Sequence, residues 1–176
     1  MKYIDSHAHI GDCRISDIDV SEEQLIDSLN QVDPEAMAIV QPFPCSSDED
    51  EVHERIYRMA QQYPGRIFGL ASVYPHIPRE KLEAKLRHYI QDYGFVGIKV
   101  NTVGHAIPPN SRDAYTLYEI AAKYGVAVNV HTGIGVPFSL PSLCLEPTSK
   151  FPELNFVLAH SGSMVFSAEA LEVAKQ

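Results

Sequence analysis

Positive charge is in short supply in this chain. Fourteen Lys and Arg stand against 23 Asp and Glu, a formal charge of -9. A nucleic-acid partner needs a basic face, so that class is disfavoured. Cysteine is sparse as well. Cys13, Cys45 and Cys144 form neither a metal-type nor a redox spacing, and a scattered, odd set fits a reducing cytoplasm in which each thiol packs rather than reacts. No apolar run reaches the roughly 20 residues of a membrane span. The opening MKYIDSHAHI lacks a signal peptide's apolar stretch. Low-complexity segments are absent. So are GxGxxG after the first strand and a Walker A sequence, so a nucleotide-binding sheet would lack its phosphate cradle. What is present is 176 residues with an ordinary hydrophobic share of 45 %, enough for one domain over 1–176.

The stretch Tyr3-Ile4-Asp5-Ser6-His7-Ala8-His9 organises the rest. A strand over about 2–6 leads into two histidines at i and i+2, whose side chains point the same way. Both imidazoles can reach one point at the strand's C-terminal end. A pair of satisfied structural histidines is the competing reading. Two more histidines close later apolar runs, His131 in VAVNVHTG and His160 in NFVLAHSG. Neutral imidazole is a good ligand for zinc and related divalent ions.

Along the chain, Ile10 to Val20 reads as a long loop. Ser21 to Gln24 reads as a capping box before a helix that buries Leu25, Ile26 and Leu29. Further strands are expected at 36–40, 67–73, 95–100, 126–130 and 154–159. Helices are expected after the acidic run 48–51, from Pro78 to Gly94, over 112–124 with Gly125 as cap, in a short piece over 142–150, and from Ser167 to the end. Strand centres recur about every 30 residues, the mark of repeated β-loop-α units. Continuous apolar runs suit parallel strands buried on both faces. An open α/β sheet and a (β/α)8 barrel both fit. Three of six strands end in His, and in a barrel ligands come from the C-terminal ends of several strands.

IDSHAHI (4–10), GFVGIKV (94–100), VNVHTG (128–133) and FPELNFVLAHSG (151–162), in that order over nearly the whole chain, resemble the amidohydrolase superfamily. The resemblance is to its amidohydrolase-related branch, of aminocarboxymuconate-semialdehyde decarboxylase type. It implies an α/β, TIM-barrel-like (β/α)8 metal-dependent hydrolase fold, incomplete here at about six parallel strands. It implies a divalent metal, Zn above all, with His7, His9, His131 and His160 as metal ligands. His160 would double as a catalytic base or electrostatic clamp. Lys99 would be the other catalytic group, with substrate-facing, metal-bridging and rim-snorkelling roles all open to it. The family's strand-eight Asp has no counterpart. Two β/α units are missing, so a homo-oligomer or a completing chain is expected to cover the open edges.

The expected reaction is hydrolysis of an amide, lactone or ester in a small molecule. The alternatives are non-oxidative decarboxylation of a small unsaturated or aromatic acid, and a non-catalytic metal-binding fragment. Asp5 is expected as a supporting carboxylate and Asn129 as an inward-facing neighbour of His131. Gly133 and Gly162 should keep the rim open. His76 and His105 lie in loops and read most simply as surface residues. His53 and His88 read as structural, and Tyr74 could reach the pocket mouth.

Overall fold

In the computed structural model, which describes residues 2–135 and 137–176, seven strands form one sheet flanked by helices. The strands are β1 (Ile4–Cys13), β2 (Ile18–Val20), β3 (Met37–Pro42), β4 (Ile67–Ser72), β5 (Gly97–Val100), β6 (Ala127–His131) and β7 (Phe156–Ala159). Their order is β2-β1-β3-β4-β5-β6-β7. All pairings from β1 to β7 are parallel, and β2 runs antiparallel to β1. This is six consecutive staves of a TIM-barrel-like (β/α)8 fold, left open between β7 and the front half of β1.

The helices between the strands are α1 (Glu22–Val32), α2 (Glu49–Gln62), α3 (Arg79–Arg87), α4 (Arg112–Tyr124), α5 (Leu145–Lys150) and α6 (Ser167–Val173). Local chemistry sets their ends. Ser21 and Gln24 form the capping box of α1, and Gly125 closes α4 in the left-handed conformation at φ 65°. The helix begun by α3 runs on as a π-turn over His88–Asp92 before Gly94. Apolar faces of the helices meet the sheet in one core that includes Ile10, Val40, Ile56, Leu86, Ile98, Leu117 and Val130.

The long loop expected from Ile10 to Val20 is not what forms. β1 continues to Cys13, and Gly11, Asp12 and Cys13 pair with Val20, Asp19 and Ile18 of β2. Gly11 permits this at φ +88°, where an added Cβ would stand 2.7 Å from Val52. β1 also carries an irregularity. Its register against β3 shifts between Asp5 and Ala8, so the strand is bulged at Ser6 and His7. The tail helix ends at Val173.

Candidate metal centre

The four strand-end histidines meet at the C-terminal rim. His7 packs edge-on against His9 with ring centroids 4.9 Å apart, and against His160 at 4.7 Å. His160 in turn meets His131 at 5.0 Å. Three separate strands, β1, β6 and β7, therefore deliver one continuous group of imidazoles.

Each position has a local cause. The bulge re-aims His7, and Asp5 holds it by accepting the His7 backbone N–H at 2.9 Å. The expected supporting carboxylate thus works through the main chain. His9 lies 2.9 Å from the Pro42 carbonyl through Nδ1. A carbonyl only accepts, so Nδ1 carries the proton and Nε2 keeps its lone pair. That Nε2 stands 3.1 Å from His7 Nε2. His131 follows the same logic with its nitrogens exchanged: Nε2 is 2.9 Å from the Ile134 carbonyl, which leaves Nδ1 unprotonated.

His160 opens a run of positive φ angles, 64°, 48°, 74° and 56° over His160, Ser161, Gly162 and Ser163. Thr132, at the end of β6, holds this turn. Its hydroxyl accepts from Gly162 N–H at 3.0 Å and donates to the Ala159 carbonyl at 2.7 Å. Gly133 lies directly beneath Ser163 Oγ, so a side chain there would collide with the turn.

Behind the histidines, Ser72, Lys99 and Asn129 stand in register on β4, β5 and β6. Lys99 is 2 % exposed and Asn129 4 %, and Lys99 Nζ donates to Asn129 Oδ1 at 2.7 Å. With no carboxylate beside it, burial pushes the amine down to about 7. Burial, then Lys99 and the neighbouring rings, pushes His7 to about 2. Burial also takes His9 to about 4 against the raising effect of the Pro42 carbonyl. His131 and His160 are lowered chiefly by burial. The imidazoles are therefore held neutral, the form that ligates. A protein of charge -9 has here built a site of bases.

Two ligands about 2.0–2.1 Å from one ion at tetrahedral or right angles are themselves about 2.9–3.4 Å apart. The His7–His9 nitrogen pair fits that span at 3.1 Å. Among the described residues no three His, Cys, Asp or Glu side chains are assembled as a complete set around one point. What stands together is a pair of ring nitrogens at that spacing, with two further imidazoles alongside.

Gln41 was not foreseen. It is the penultimate residue of β3, opposite His9, and is fully buried. Its Nε2 lies 3.3 and 3.2 Å from the two ring nitrogens of His7, while its Oε1 has no partner. The available signal was a polar residue closing the apolar run AMAIV, as His131 and His160 close theirs.

The other histidines lie apart from the rim group. His105 is not a surface residue: it is 3 % exposed, and its Nε2 stands 3.2 Å from Glu49. His76 bridges Asp113 at 2.7 Å and the His105 carbonyl at 2.9 Å. These contacts tie the loops that follow β4 and β5 to each other and to the first turns of α2 and α4. Tyr74 packs edge-on against both rings and lines a separate cleft of about 430 Å³ with Glu49 and Lys81. His53 is buried in α2 and accepts the Ser72 backbone N–H at 3.0 Å. His88 pairs with Asp92 on the surface. A cleft of about 980 Å³ lies beside β7 and α6, and none of the rim histidines lines it.

An open (β/α)8 barrel with a histidine group at the C-terminal rim defines the class. The family model for amidohydrolases matches residues 4–175, and the chain belongs to that family. No curated protein sequence matches it. Among solved structures it is similar to 4-oxalomesaconate hydratase from Rhodopseudomonas palustris, with 21 % identity, a TM-score of 0.65, and 99 % of this chain and 69 % of the other covered. It is also similar to 5-carboxyvanillate decarboxylase from Novosphingobium aromaticivorans, a manganese complex, with 17 % identity, a TM-score of 0.65 and coverages of 96 % and 66 %. A third is a probable 2-pyrone-4,6-dicarboxylic acid hydrolase from Acinetobacter baumannii, with 17 % identity, a TM-score of 0.61 and coverages of 98 % and 66 %. The chain thus spans about two thirds of the length of these structures. Among the described residues no helix is long and apolar enough to cross a membrane.

Proposed function

We propose that this chain carries the metal-binding portion of a metal-dependent hydrolase that acts on an amide, lactone or ester of a small molecule. The observation that carries the reading is the His7–His9 pair, with Nε2 atoms 3.1 Å apart and the His9 tautomer fixed by the Pro42 carbonyl. His7 and His9 would hold a divalent ion, Zn2+ or a related metal, with His131 joining through Nδ1. A bound divalent ion supplies Lewis acidity towards a carbonyl oxygen and makes water more acidic. His160, at the open side of the group, would either join the ligand set or take and return a proton at the scissile bond. Lys99, steadied by Asn129 Oδ1 and titrating near neutrality, would supply a positive charge behind the site in its protonated form, which suits a substrate carrying a carboxylate.

A second reading is non-oxidative decarboxylation, in the aminocarboxymuconate-semialdehyde decarboxylase branch of the family. The buried Lys99 amine and the similarity to 5-carboxyvanillate decarboxylase favour it. In both readings a second copy or a completing chain covers β7 and the front of β1, where Val157 is 42 % and Ile4 53 % exposed. The test is metal content of the purified protein, followed by turnover of a panel of lactones and carboxylated aromatics, with His7→Ala as control. Release of CO2 selects decarboxylation and ring opening selects hydrolysis. Bound metal with no turnover of any compound leaves a metal-binding fragment.

A further inference from the structure

Gln41 is buried, yet its amide is poorly used at both ends. Oε1 has no hydrogen-bond partner. Nε2 is almost equidistant from His7 Nδ1 and Nε2, at 3.3 and 3.2 Å, and a neutral imidazole offers only one of those nitrogens as an acceptor. Buried polar groups are nearly always paired, and one that is not calls for a ligand or a functional reason. Among the described residues only the two His7 contacts hold the present orientation of the amide. Half a turn about its last bond exchanges the two ends and brings Oε1 to about 3.2 Å from His7 Nε2, the present place of Nε2. That matches the 3.1 Å between the His7 and His9 nitrogens and falls in the span expected of two donors on one ion. Among the described His, Cys, Asp and Glu side chains no complete set of three is assembled around the His7–His9 pair, so an oxygen donor can join it beside His131.

We propose that Gln41 is a metal ligand through Oε1, completing a mixed nitrogen–oxygen set with His7 and His9. The inference rests on the metal-binding reading given above. A neutral carbonyl oxygen is a harder donor than imidazole, so it favours Mn2+ relative to a site built of imidazoles alone. Substituting Gln41 should then alter selectivity between ions, whereas a purely structural Gln41 would weaken all ions alike.

The test is calorimetric titration of the metal-free full chain with Mn2+ alone and with Zn2+ alone, for the native protein and for Gln41→Leu, Gln41→Glu and His7→Ala. Circular dichroism and thermal melting check the fold. Gln41→Leu should lower Mn2+ affinity by about tenfold or more and Zn2+ affinity distinctly less. Gln41→Glu keeps an oxygen in place and adds charge, so it should bind Mn2+ at least as tightly as the native chain. An unchanged Mn2+/Zn2+ ratio in Gln41→Leu overturns the assignment, and so does loss of Mn2+ binding in Gln41→Glu. If Gln41→Leu does not fold, Gln41→Glu decides alone. Binding that depends on His7 but not on Gln41 removes this inference and leaves the metal site standing. A native chain that binds neither ion removes both.

Discussion

Two sets of histidines share this small molecule, and their ring partners differ. His76, His88 and His105 face the carboxylates of Asp113, Asp92 and Glu49. His9 and His131 face main-chain carbonyls, those of Pro42 and Ile134. A carboxylate can pair with a protonated ring, which makes a tie between segments. A neutral carbonyl fixes the tautomer and leaves the far nitrogen with a lone pair. The first arrangement ties His76 and His105 to the starts of α4 and α2 and spans one helical turn at His88, and the second leaves a ring nitrogen free to accept. His53 belongs to neither set, since its ring accepts a backbone N–H inside the core.

The sharpest break between the sets should appear in metal affinity. His7→Ala is expected to weaken binding by more than about 1,000-fold, or about 4 kcal/mol, as read by calorimetry, whereas His105→Ala should leave it unchanged. Equal losses in the two variants would erase the distinction.

Acid should expose His53. Burial lowers its pKa from 6.5 to about 4. As pH falls below 6.5 the unfolded chain takes up the proton first, so stability declines until pH passes the folded value and then levels off. The expected loss between pH 7 and 4 is about 3 kcal/mol. The rim histidines titrate with the same sign, so the measurement is the difference between the native chain and His53→Gln in urea unfolding at several pH values. Gln can still accept the Ser72 N–H, and its pH dependence should be shallower by about that amount.

Two smaller effects grade the carboxylate contacts. His105→Ala removes a buried ring together with its bond to Glu49, at an expected cost of about 2 kcal/mol in denaturant unfolding. His88→Ala removes an exposed pair with Asp92 and should cost less than about 0.5 kcal/mol. If His88 proved the costlier of the two, burial would not be what separates them.

The order of the parallel strands and the grouping of the four histidines were legible because β3 to β7 are mostly apolar runs, His131 and His160 follow two of them, and His7 and His9 share one face of β1. Period and position are local information. The continuation of β1 and its pairing with β2 were not legible, because Ile10 to Val20 is polar and Gly-containing and its pairing is decided by register across a turn. The bulge at His7 depends on β3, and the burial of His105 depends on a loop distant in sequence. Gln41 was overlooked for a different reason. Glutamine carries no charge change and no strong metal signature, so only its unpaired oxygen in the folded chain singles it out.

The turn after β7 has one further consequence. Left-handed backbone at a residue with a side chain costs roughly 1–2 kcal/mol, and His160, Ser161 and Ser163 all adopt positive φ around Gly162. The turn is therefore a cocked spring, and the side-chain catch, beside the backbone bonds from Thr132, Ser163 and Phe166, is the Thr132 hydroxyl just past β6. Thr132→Val would remove the catch while preserving bulk, and the recoil would swing the His160 imidazole away from its neighbours although no atom of that ring had been altered.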